Sequence, residues 1–330
     1  MEDRIDRLIN LDIGGRGVEQ LYPVARDIIG APLAMAAARR LSGFESGDIV
    51  LFTTGSVSRA WVSPNIGEND GPIGTAVLAR TLQRAFGVVP VVTAEATLQR
   101  GICAVLQAAG FSVVSLEEAQ RASQPGGKTA VAVFLPFPTD DGEAEAAAGP
   151  LLDKLQPRAA VAIERAGRNS LGVYHNMRGV DFGMGRARTD LLFEEAQSRS
   201  VPLVAVGDGG NEIGMGMVTE AVRKFVPYGR TCQCPCGSGI AARTSADVLV
   251  TAAVSNWGCY AIADCIAVLR KDPRLLHSVQ LEKQLLLASV HGGLINAGEG
   301  VVDTGVDGLP MEVHIAVAQL LHVMASKAMA

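Results

Sequence analysis

Apolar and polar positions follow a repeating unit along this chain: a short β-branched run, a glycine-rich break, and an alanine- and leucine-rich segment of helical length. Most of the β-branched runs are apolar apart from polar residues at their ends, which is typical of strands covered on both faces of a parallel sheet. The runs predict strands over residues 48–54, 88–93, 111–115, 129–135, 159–164, 201–207 and 246–253. The segments between them predict helices over residues 74–86, 97–109, 190–199 and 257–269. This alternation predicts a doubly wound α/β fold, with a mostly parallel sheet and helices on both faces.

The two ends of the chain carry further helical patterns. Residues 18–41 predict one or two helices within an N-terminal helical segment of residues 1–45, and residues 309–328 predict a closing amphipathic helix. Residues 136–150 are rich in Asp, Glu, Gly and Ala. We interpret them as an exposed connection and as a soft boundary within a single domain of residues 1–330.

Composition narrows the class of partner. The hydrophobic content of 48% supports a sizeable core, and the net charge of −5 with scattered Lys and Arg gives no basic surface for nucleic acid. No apolar run is long enough to predict a membrane span, and the amino terminus carries acids instead of a signal-peptide pattern. We therefore expect a cytoplasmic protein whose partner is a small molecule. The sequence leaves open whether it forms a homo-oligomer.

A dense glycine loop follows the sixth predicted strand. The stretch G-D-G-G-N-E-I-G-M-G, residues 207–216, fits neither the dinucleotide fingerprint nor a phosphate loop with a Gly-Lys-Ser or Gly-Lys-Thr end. Asp208, Asn211 and Glu212 can converge there, and the backbone at Gly209 and Gly210 can form an anion-binding nest. The alternative is a tight turn whose polar residues only cap a helix.

Polar clusters follow other predicted strands, and ligands of such sheets bind at those strand ends. In residues 164–181 the planar arginine fork suits an acidic ligand, although internal ion pairing among Glu164, Arg165 and Asp181 is an alternative. Asp70 is explained by helix-start chemistry, whereas Glu68 is not. The further candidate binding residues at these strand ends and in the turn near residue 307 are Arg168, Asn169, Asn176, Arg178, Ser255, Asn256 and Asp307.

Three of the six cysteines are concentrated in C-Q-C-P-C, at Cys232, Cys234 and Cys236. This pattern could hold a soft metal ion, but no histidine or cysteine pair at zinc-finger spacing accompanies it. A turn with incidental thiols is the alternative interpretation.

Five motifs together resemble the D-glutamate cyclase family. They are E-N-D-G-P, E-R-A-G-R-N-S-L-G-V-Y-H-N-M-R-G-V-D, G-D-G-G-N-E-I-G-M-G, V-S-N-W-G and V-D-G-L-P-M-E-V-H, in this order from about Ile49 to the carboxyl end. The resemblance implies conversion of D-glutamate, or a close analogue, to 5-oxo-D-proline. The chain departs from the family pattern at C-Q-C-P-C-G-S-G, where a shorter link without three cysteines is expected.

The resemblance implies roles for the candidate residues. Arg178 would bind the substrate α-carboxylate, while Asp208 or Glu212 would act as base and acid. Asn211, Asn256 and the Gly209–Gly210 backbone would stabilise the oxyanion. A divalent ion on Asp208, Glu212 or Glu68 could instead polarise the carboxyl group, and hard oxygen ligands favour Mg²⁺ or Mn²⁺.

Three other functions remain open from the sequence. A lactam or cyclic amide hydrolase needs the same groups for the reverse bond change. A non-catalytic sensor of an acidic metabolite would bind without turnover. A metal- or redox-responsive protein would centre on the three clustered cysteines.

Overall fold

The computed structural model describes residues 1–123 and 129–330, which form a seven-stranded sheet with every pair of neighbouring strands parallel. The strand order across the sheet is β3-β4-β2-β1-β5-β6-β7. Each predicted run overlaps one strand, so the doubly wound α/β prediction is confirmed. The strands are β1 (Ile49–Thr54), β2 (Val89–Ala94), β3 (Ser112–Val114), β4 (Val131–Pro136), β5 (Ala159–Ile163), β6 (Leu203–Gly207) and β7 (Val248–Thr251).

Helices connect these strands and flank the sheet. The N-terminal helices are α1 (Glu2–Ile9), α2 (Leu21–Ile29) and α3 (Leu33–Arg40). Those between the strands are α4 (Pro72–Phe86), α5 (Gln99–Ala108), α6 (Leu116–Ala122), α7 (Asp141–Leu155), α8 (Thr189–Ser198) and α9 (Thr219–Phe225). After β7 come α10 (Ser255–Arg270), α11 (Val279–Gly292) and α12 (Met311–Met329). Short 3-10 helices occupy Val18–Gln20, Ala96–Leu98, Met215–Val218 and Pro273–Leu275.

The core explains why the strands contain so few polar residues. Strand β2 is buried along its whole length, and β1 is buried from its second residue onward. Helix α10 is buried from Ser255 to Ala267 because it packs against α4 on one side and against α3 and α12 on others. A helix that is apolar around its whole circumference is expected in such a central position.

Residues 18–41 contain two α-helices because the chain turns sharply between them. Gly30 ends α2 in the left-handed conformation, with φ of 70°, which costs glycine little. Asp6 of α1 then accepts hydrogen bonds from the backbone N–H groups of Leu33 (2.6 Å) and Ala34 (3.1 Å) at the start of α3. The buried Asp6 thus ties the N-terminal helices together.

Residues 136–150 are largely exposed and connect β4 to β5, but most of them form a helix that the sequence interpretation did not predict. Asp140 caps α7 by accepting the Glu143 backbone N–H at 3.0 Å, and the alanine-rich run continues as a helix through Pro150. Ala144, Ala148 and Leu152 recur every four residues and are buried. The periodic apolar face therefore outweighed the polar composition of the segment. Helix α7 joins two strands of one sheet, β4 and β5.

Candidate functional site

The cleft lies where the winding of the sheet reverses. From β1 the chain builds outward through β2 on one side, and from β5 it builds outward through β6 on the other. Ligands of open α/β sheets bind in the crevice outside the carboxyl ends of the strands at such a point. A cavity of about 330 Å³ is found there, lined by Arg16, Ser56, Ser58, Arg59, Trp61, Glu68, Glu164, Ala166, Asn176, Met177, Arg178, Phe182, Asn211, Ala297, Gly298 and Asp307.

The glycine loop after β6 folds back on Glu212. This carboxylate accepts hydrogen bonds from the backbone N–H groups of Asp208 (3.3 Å) and Gly210 (2.7 Å). A Cβ on Gly209 would collide with the sulfur of Met177, and Gly210 has φ of 106°. The glycines therefore permit a tight loop, and Glu212 holds that loop closed.

Arg16 joins this loop to the opposite wall of the cleft. Its Nη2 donates to Asp208 Oδ2 at 2.6 Å, to Asp307 Oδ2 at 3.1 Å and to the Ala253 carbonyl at 2.6 Å. Asp12 fixes the Arg16 loop by accepting the backbone N–H groups of Arg16 (3.1 Å) and Gly17 (2.7 Å). Arg16 is not among the residues predicted from the sequence. The stretch D-I-G-G-R-G was its signal, because a charged residue among glycines marks a loop with a specific conformation.

Five carboxylates surround the Arg16 guanidinium and the end of the glycine loop, and we call them the acidic floor. Ligand oxygens of Asp70, Asp208 and Asp307 lie within 4.8 Å of one another, as do those of Glu164, Asp208 and Glu212. Burial raises the pKa of Asp208 well above its usual range, although Arg16 opposes the rise, and the carboxylate of Glu164 adds to it. Burial and then the carboxylate of Glu212 raise the pKa of Glu164. The floor therefore holds more negative charge than Arg16 balances, which favours binding of protons or cations.

Two members of this region have structural duties as well. Asp70 accepts the backbone N–H groups of Ser255 (3.0 Å) and Asn256 (2.9 Å) at the start of α10. In return, Asn256 Oδ1 accepts the N–H groups of Gly71 (3.0 Å) and Gly74 (2.6 Å) at the start of α4. Asn256 Nδ2 donates to a backbone carbonyl, that of Asn69, at 3.3 Å. The sequence predicted Asn256 as an oxyanion donor. In the structure this side chain is buried, and its hydrogen bonds join the starts of two helices.

Glu164 directly follows β5 and has a left-handed backbone conformation, with φ of 50°. Such a conformation is costly for a residue with a Cβ and is often found at functional sites. The side chain lines the cleft and accepts a hydrogen bond from the Ser255 hydroxyl at 2.6 Å. Ser255 therefore acts on the cleft through Glu164.

Glu68 lies on the cleft wall beside the strand end of β1. Its Oε1 accepts the Ser56 hydroxyl at 2.6 Å. Burial raises the pKa of Glu68 to about 7, against the opposing charge of Arg186. A carboxyl group with this pKa exchanges protons readily near neutral pH.

Arg59 and Arg178 line the cleft and have no carboxylate partner among the described residues. Arg178 is exposed and makes no side-chain hydrogen bond or ion pair with residues 1–123 and 129–330. Arg59 is half-buried and is held by the Ser58 hydroxyl (2.7 Å) and the Ala297 carbonyl (2.8 Å). Asn176, also in the cleft, accepts the Arg178 backbone N–H at 2.9 Å. Arg59 was not predicted; its missed signal was the strand-end position of S-V-S-R.

Arg168 and Asn169, although predicted as binding residues, do not line the cleft. Arg168 donates to Glu194 at 2.7 Å and lies 3.4 Å from a carboxylate oxygen of Asp190, both on α8. Asn169 Oδ1 accepts the backbone N–H groups of Leu171 (2.9 Å) and Val173 (3.0 Å). Both side chains stabilise the loop behind the cleft wall. The predicted ion pairing within residues 164–181 is replaced by longer-range pairs.

Asn211 lies at the edge of the cleft, and only one of its two polar amide atoms has a hydrogen-bond partner among the described residues. Its Nδ2 donates to the His175 carbonyl at 2.8 Å. Its buried Oδ1, like Oδ1 of Asp208, finds no hydrogen-bond partner in the described part of the chain. Such buried acceptors favour a donor or cation supplied by a ligand.

Groups that could hold a metal ion fall into two kinds. The acidic floor supplies the carboxylate sets given above, which suit a hard cation. A separate group combines Cys232, Cys234 and Cys236 with His175. The three predicted cysteines therefore lie close together in the structure. A histidine that the sequence spacing did not reveal lies beside them.

Comparison with known proteins places this chain in a family. The family model described as D-glutamate cyclase-like, C-terminal, matches residues 5–322. The human protein D-glutamate cyclase, mitochondrial, is 30% identical in an alignment that covers 93% of this chain and 48% of the human protein. This chain belongs to the D-glutamate cyclase-like C-terminal family. It spans about half the length of that human relative.

Among the helices of residues 1–123 and 129–330, none is both long enough and apolar enough to span a membrane.

Proposed function

We propose that this chain catalyses the intramolecular dehydration of D-glutamate, or a close amino-acid analogue, to 5-oxo-D-proline. Family membership supports the reaction class. The observation that carries the proposal is the charge arrangement of one small cleft. Two carboxylates of the acidic floor, Glu164 and Asp307, line it together with Arg59 and Arg178, which make no ion pair within residues 1–123 and 129–330. Such a cleft suits a ligand with an ammonium group and a carboxylate.

The arginines would fix the substrate. Arg59 or Arg178 can bind the α-carboxylate through the planar guanidinium fork. The ammonium group would then lie toward Glu164 and Asp208. Holding the amine against the γ-carboxyl carbon in this way makes the attack intramolecular and correctly oriented, which can lower the barrier by about 7 to 11 kcal/mol.

Proton transfer would divide between the floor and the wall. The amine must lose a proton before it attacks, and the raised pKa of Glu164 and Asp208 makes their ionised forms stronger proton acceptors. The nitrogen forms a bond to the γ-carbon, and one γ carbon–oxygen bond breaks. Glu68, with its pKa of about 7, would protonate the departing oxygen. The two protons lost by the ammonium leave with that oxygen as water.

The oxyanion would be stabilised by fewer donors than the sequence suggested. Asn211 lies at the cleft, whereas Asn256 is committed to two helix starts. Ser56 and Ser58 also line the cleft and supply hydroxyl groups near Glu68. The Ser56 hydroxyl already donates to Glu68, so we assign this role to the Ser58 hydroxyl and to the second N–H of the Asn211 amide.

The acidic floor also fits Mn²⁺ or Mg²⁺. Glu164, Asp208 and Glu212 offer hard oxygen donors, and Asp208 Oδ1 has no partner among the described residues. As an alternative to accepting the substrate proton, these three side chains would hold the ion. When bound there, it would polarise the γ-carboxyl group and reduce the charge of the floor.

The test is mass-spectrometric detection of 5-oxoproline after incubating purified protein with D-glutamate or L-glutamate, each with Mn²⁺ or with EDTA. D-glutamate carrying ¹⁸O in the γ-carboxyl group should lose one labelled oxygen to water. Product from the D-isomer supports the proposal, and its loss in EDTA supports the ion.

A matched pair of variants distinguishes activity at this site from the activity of a contaminating enzyme. Glu68→Gln should lower product formation strongly, whereas Glu19→Gln, at an exposed helix position, should not. Absence of product from both isomers with the wild-type protein would contradict the proposal. Hydrolysis of a small lactam would instead favour a lactam or cyclic amide hydrolase.

A further inference from the structure

Three thiols and one imidazole converge at a point outside the acidic floor. The sulfur atoms of Cys232, Cys234 and Cys236 lie 3.2 to 3.4 Å apart. Nε2 of His175 lies 3.2 Å from the Cys234 sulfur and 3.6 Å from the Cys236 sulfur. Each of the four ligand atoms is thus a neighbour of the others, as at the corners of a tetrahedron.

We propose that His175, Cys232, Cys234 and Cys236 bind one structural Zn²⁺ ion. Zinc–sulfur bonds of about 2.3 Å in a tetrahedron place the ligand atoms about 3.7 Å apart, close to the separations seen. Three sulfur atoms with one imidazole nitrogen are a ligand set of structural zinc sites, and soft thiolates disfavour Mg²⁺ and Mn²⁺. The fourth ligand comes from 57 residues earlier in the chain than Cys232, so the sequence pattern alone left the site incomplete.

The surroundings match a closed site. His175 is fully buried, and Cys232 is nearly so. Asn169 Nδ2 lies 3.6 Å from the Cys236 sulfur and donates to the Gly239 carbonyl at 2.9 Å. Amide groups that contact the ligand atoms in this way hold metal ligands in place. Four protein ligands leave no position for substrate, which assigns the ion a structural role and not a catalytic one.

The site joins two loops, one of which forms a wall of the cleft. The Gln233 backbone N–H donates to the Gly179 carbonyl at 2.8 Å, and Asn211 donates to the His175 carbonyl at 2.8 Å. His175 is followed directly by Asn176 and Met177, which line the cleft together with Arg178. The ion would therefore hold the arginine-bearing wall in position without touching the ligand.

The first measurement is the metal content of the intact protein after purification and brief incubation with Zn²⁺, followed by removal of weakly bound ions. We expect one zinc per chain and no iron. Replacement by Co²⁺ should give the strong visible bands of tetrahedral cobalt and a sulfur-to-cobalt charge-transfer band. Wild-type protein without stoichiometric zinc, with iron, or with a disulfide among the three cysteines would overturn the proposal.

Variants test the ligand assignment. The double variant Cys232→Ser with Cys236→Ser should lower zinc affinity at least about tenfold, since even an outer contact of a metal site is worth about 10- to 100-fold. Cys103→Ser, on α5 and outside the group, is the control and should keep the ion. Unchanged zinc binding in the double variant would contradict the site.

His175→Cys keeps the experiment decisive if the double variant fails to fold. Four cysteines also form a structural zinc site, so this variant should retain zinc and gain charge-transfer intensity with Co²⁺. His175→Ala should lose zinc or alter the cobalt bands. Identical cobalt spectra for wild type, His175→Cys and His175→Ala would exclude His175 as a ligand.

Discussion

Two buried charged regions lie within the same molecule, and they are built differently. In the first, Arg165 donates to both carboxylate oxygens of Glu95 at 2.8 Å, and both side chains are 1% exposed. Arg165 also donates to the carbonyls of Gly55 and Ala187. In the second, the acidic floor, Arg16 pairs with Asp208 and Asp307, whereas the other three carboxylates make no ion pair within residues 1–123 and 129–330.

The difference separates stability from chemistry. A buried pair whose charges and hydrogen bonds are matched holds strand ends in place, and losing one partner leaves a buried charge uncompensated. A cluster with unmatched charge stores an unfavourable interaction that a proton, a metal ion or a substrate ammonium can relieve. We expect substitutions in the two regions to have opposite signatures.

Arg165→Met should give the largest effect. It leaves the buried Glu95 carboxylate without its cation, and we expect the free energy of unfolding to fall by about 3 to 5 kcal/mol. Denaturant unfolding followed by circular dichroism measures the loss. Adding Glu95→Gln should restore part of it, because the uncompensated charge is removed. An equal loss in the single and double variants would show that packing, and not charge, sets the cost.

Asp208→Asn should show the opposite signature. Turnover should fall about 10²- to 10⁴-fold, since a proton acceptor is lost. The free energy of unfolding should stay the same or rise, because the floor loses an excess charge. Product formation and denaturant unfolding are measured on the same preparation, with exposed Asp153→Asn as control. Retained turnover would remove Asp208 from the reaction.

Glu68 should make stability depend on pH. Its pKa is raised from 4.5 to about 7, so its contribution to stability is present below pH 4.5 and is lost as pH rises through 7. Between pH 4.5 and pH 8, the wild-type protein should lose up to about 3 kcal/mol of unfolding free energy through Glu68. Glu68→Gln should not show this loss. Unfolding at both pH values measures it. A constant difference between the two proteins would contradict the raised pKa.

The two cleft arginines should differ in their effect on KM. Arg59 is half-buried and fixed by two hydrogen bonds, so Arg59→Ala should raise KM about 10- to 100-fold with little change in kcat. Arg178 is exposed, and Arg178→Ala should raise KM only about twofold to fivefold. Steady-state kinetics with D-glutamate decide this. If Arg178 has the larger effect, the α-carboxylate lies at the outer rim.

The sequence determined the fold class and the loops that form the cleft. Uninterrupted apolar runs are typical of strands that are buried on both faces of a covered parallel sheet, and this pattern predicted β1 to β7. The loop after the sixth strand predicted Asp208, and the segment before α4 predicted Glu68, whereas Glu164 was considered only as an ion-pairing residue. Residues 136–150 show the limit, because a polar composition concealed the buried stripe of α7. Helices α6, α9 and α11 were likewise not predicted.

Only the tertiary structure decided which polar groups face each other. Arg16 reaches the floor from a loop 192 residues away from Asp208, and His175 reaches the cysteines from another loop. Conversely, Arg168 and Asn256 belong to the right motifs but are used by α8 and α4. Hydrophobic periodicity is a local property, so a sequence displays it directly. Charge pairing and metal ligation act through space, so they are fixed only when the sheet brings distant loops together.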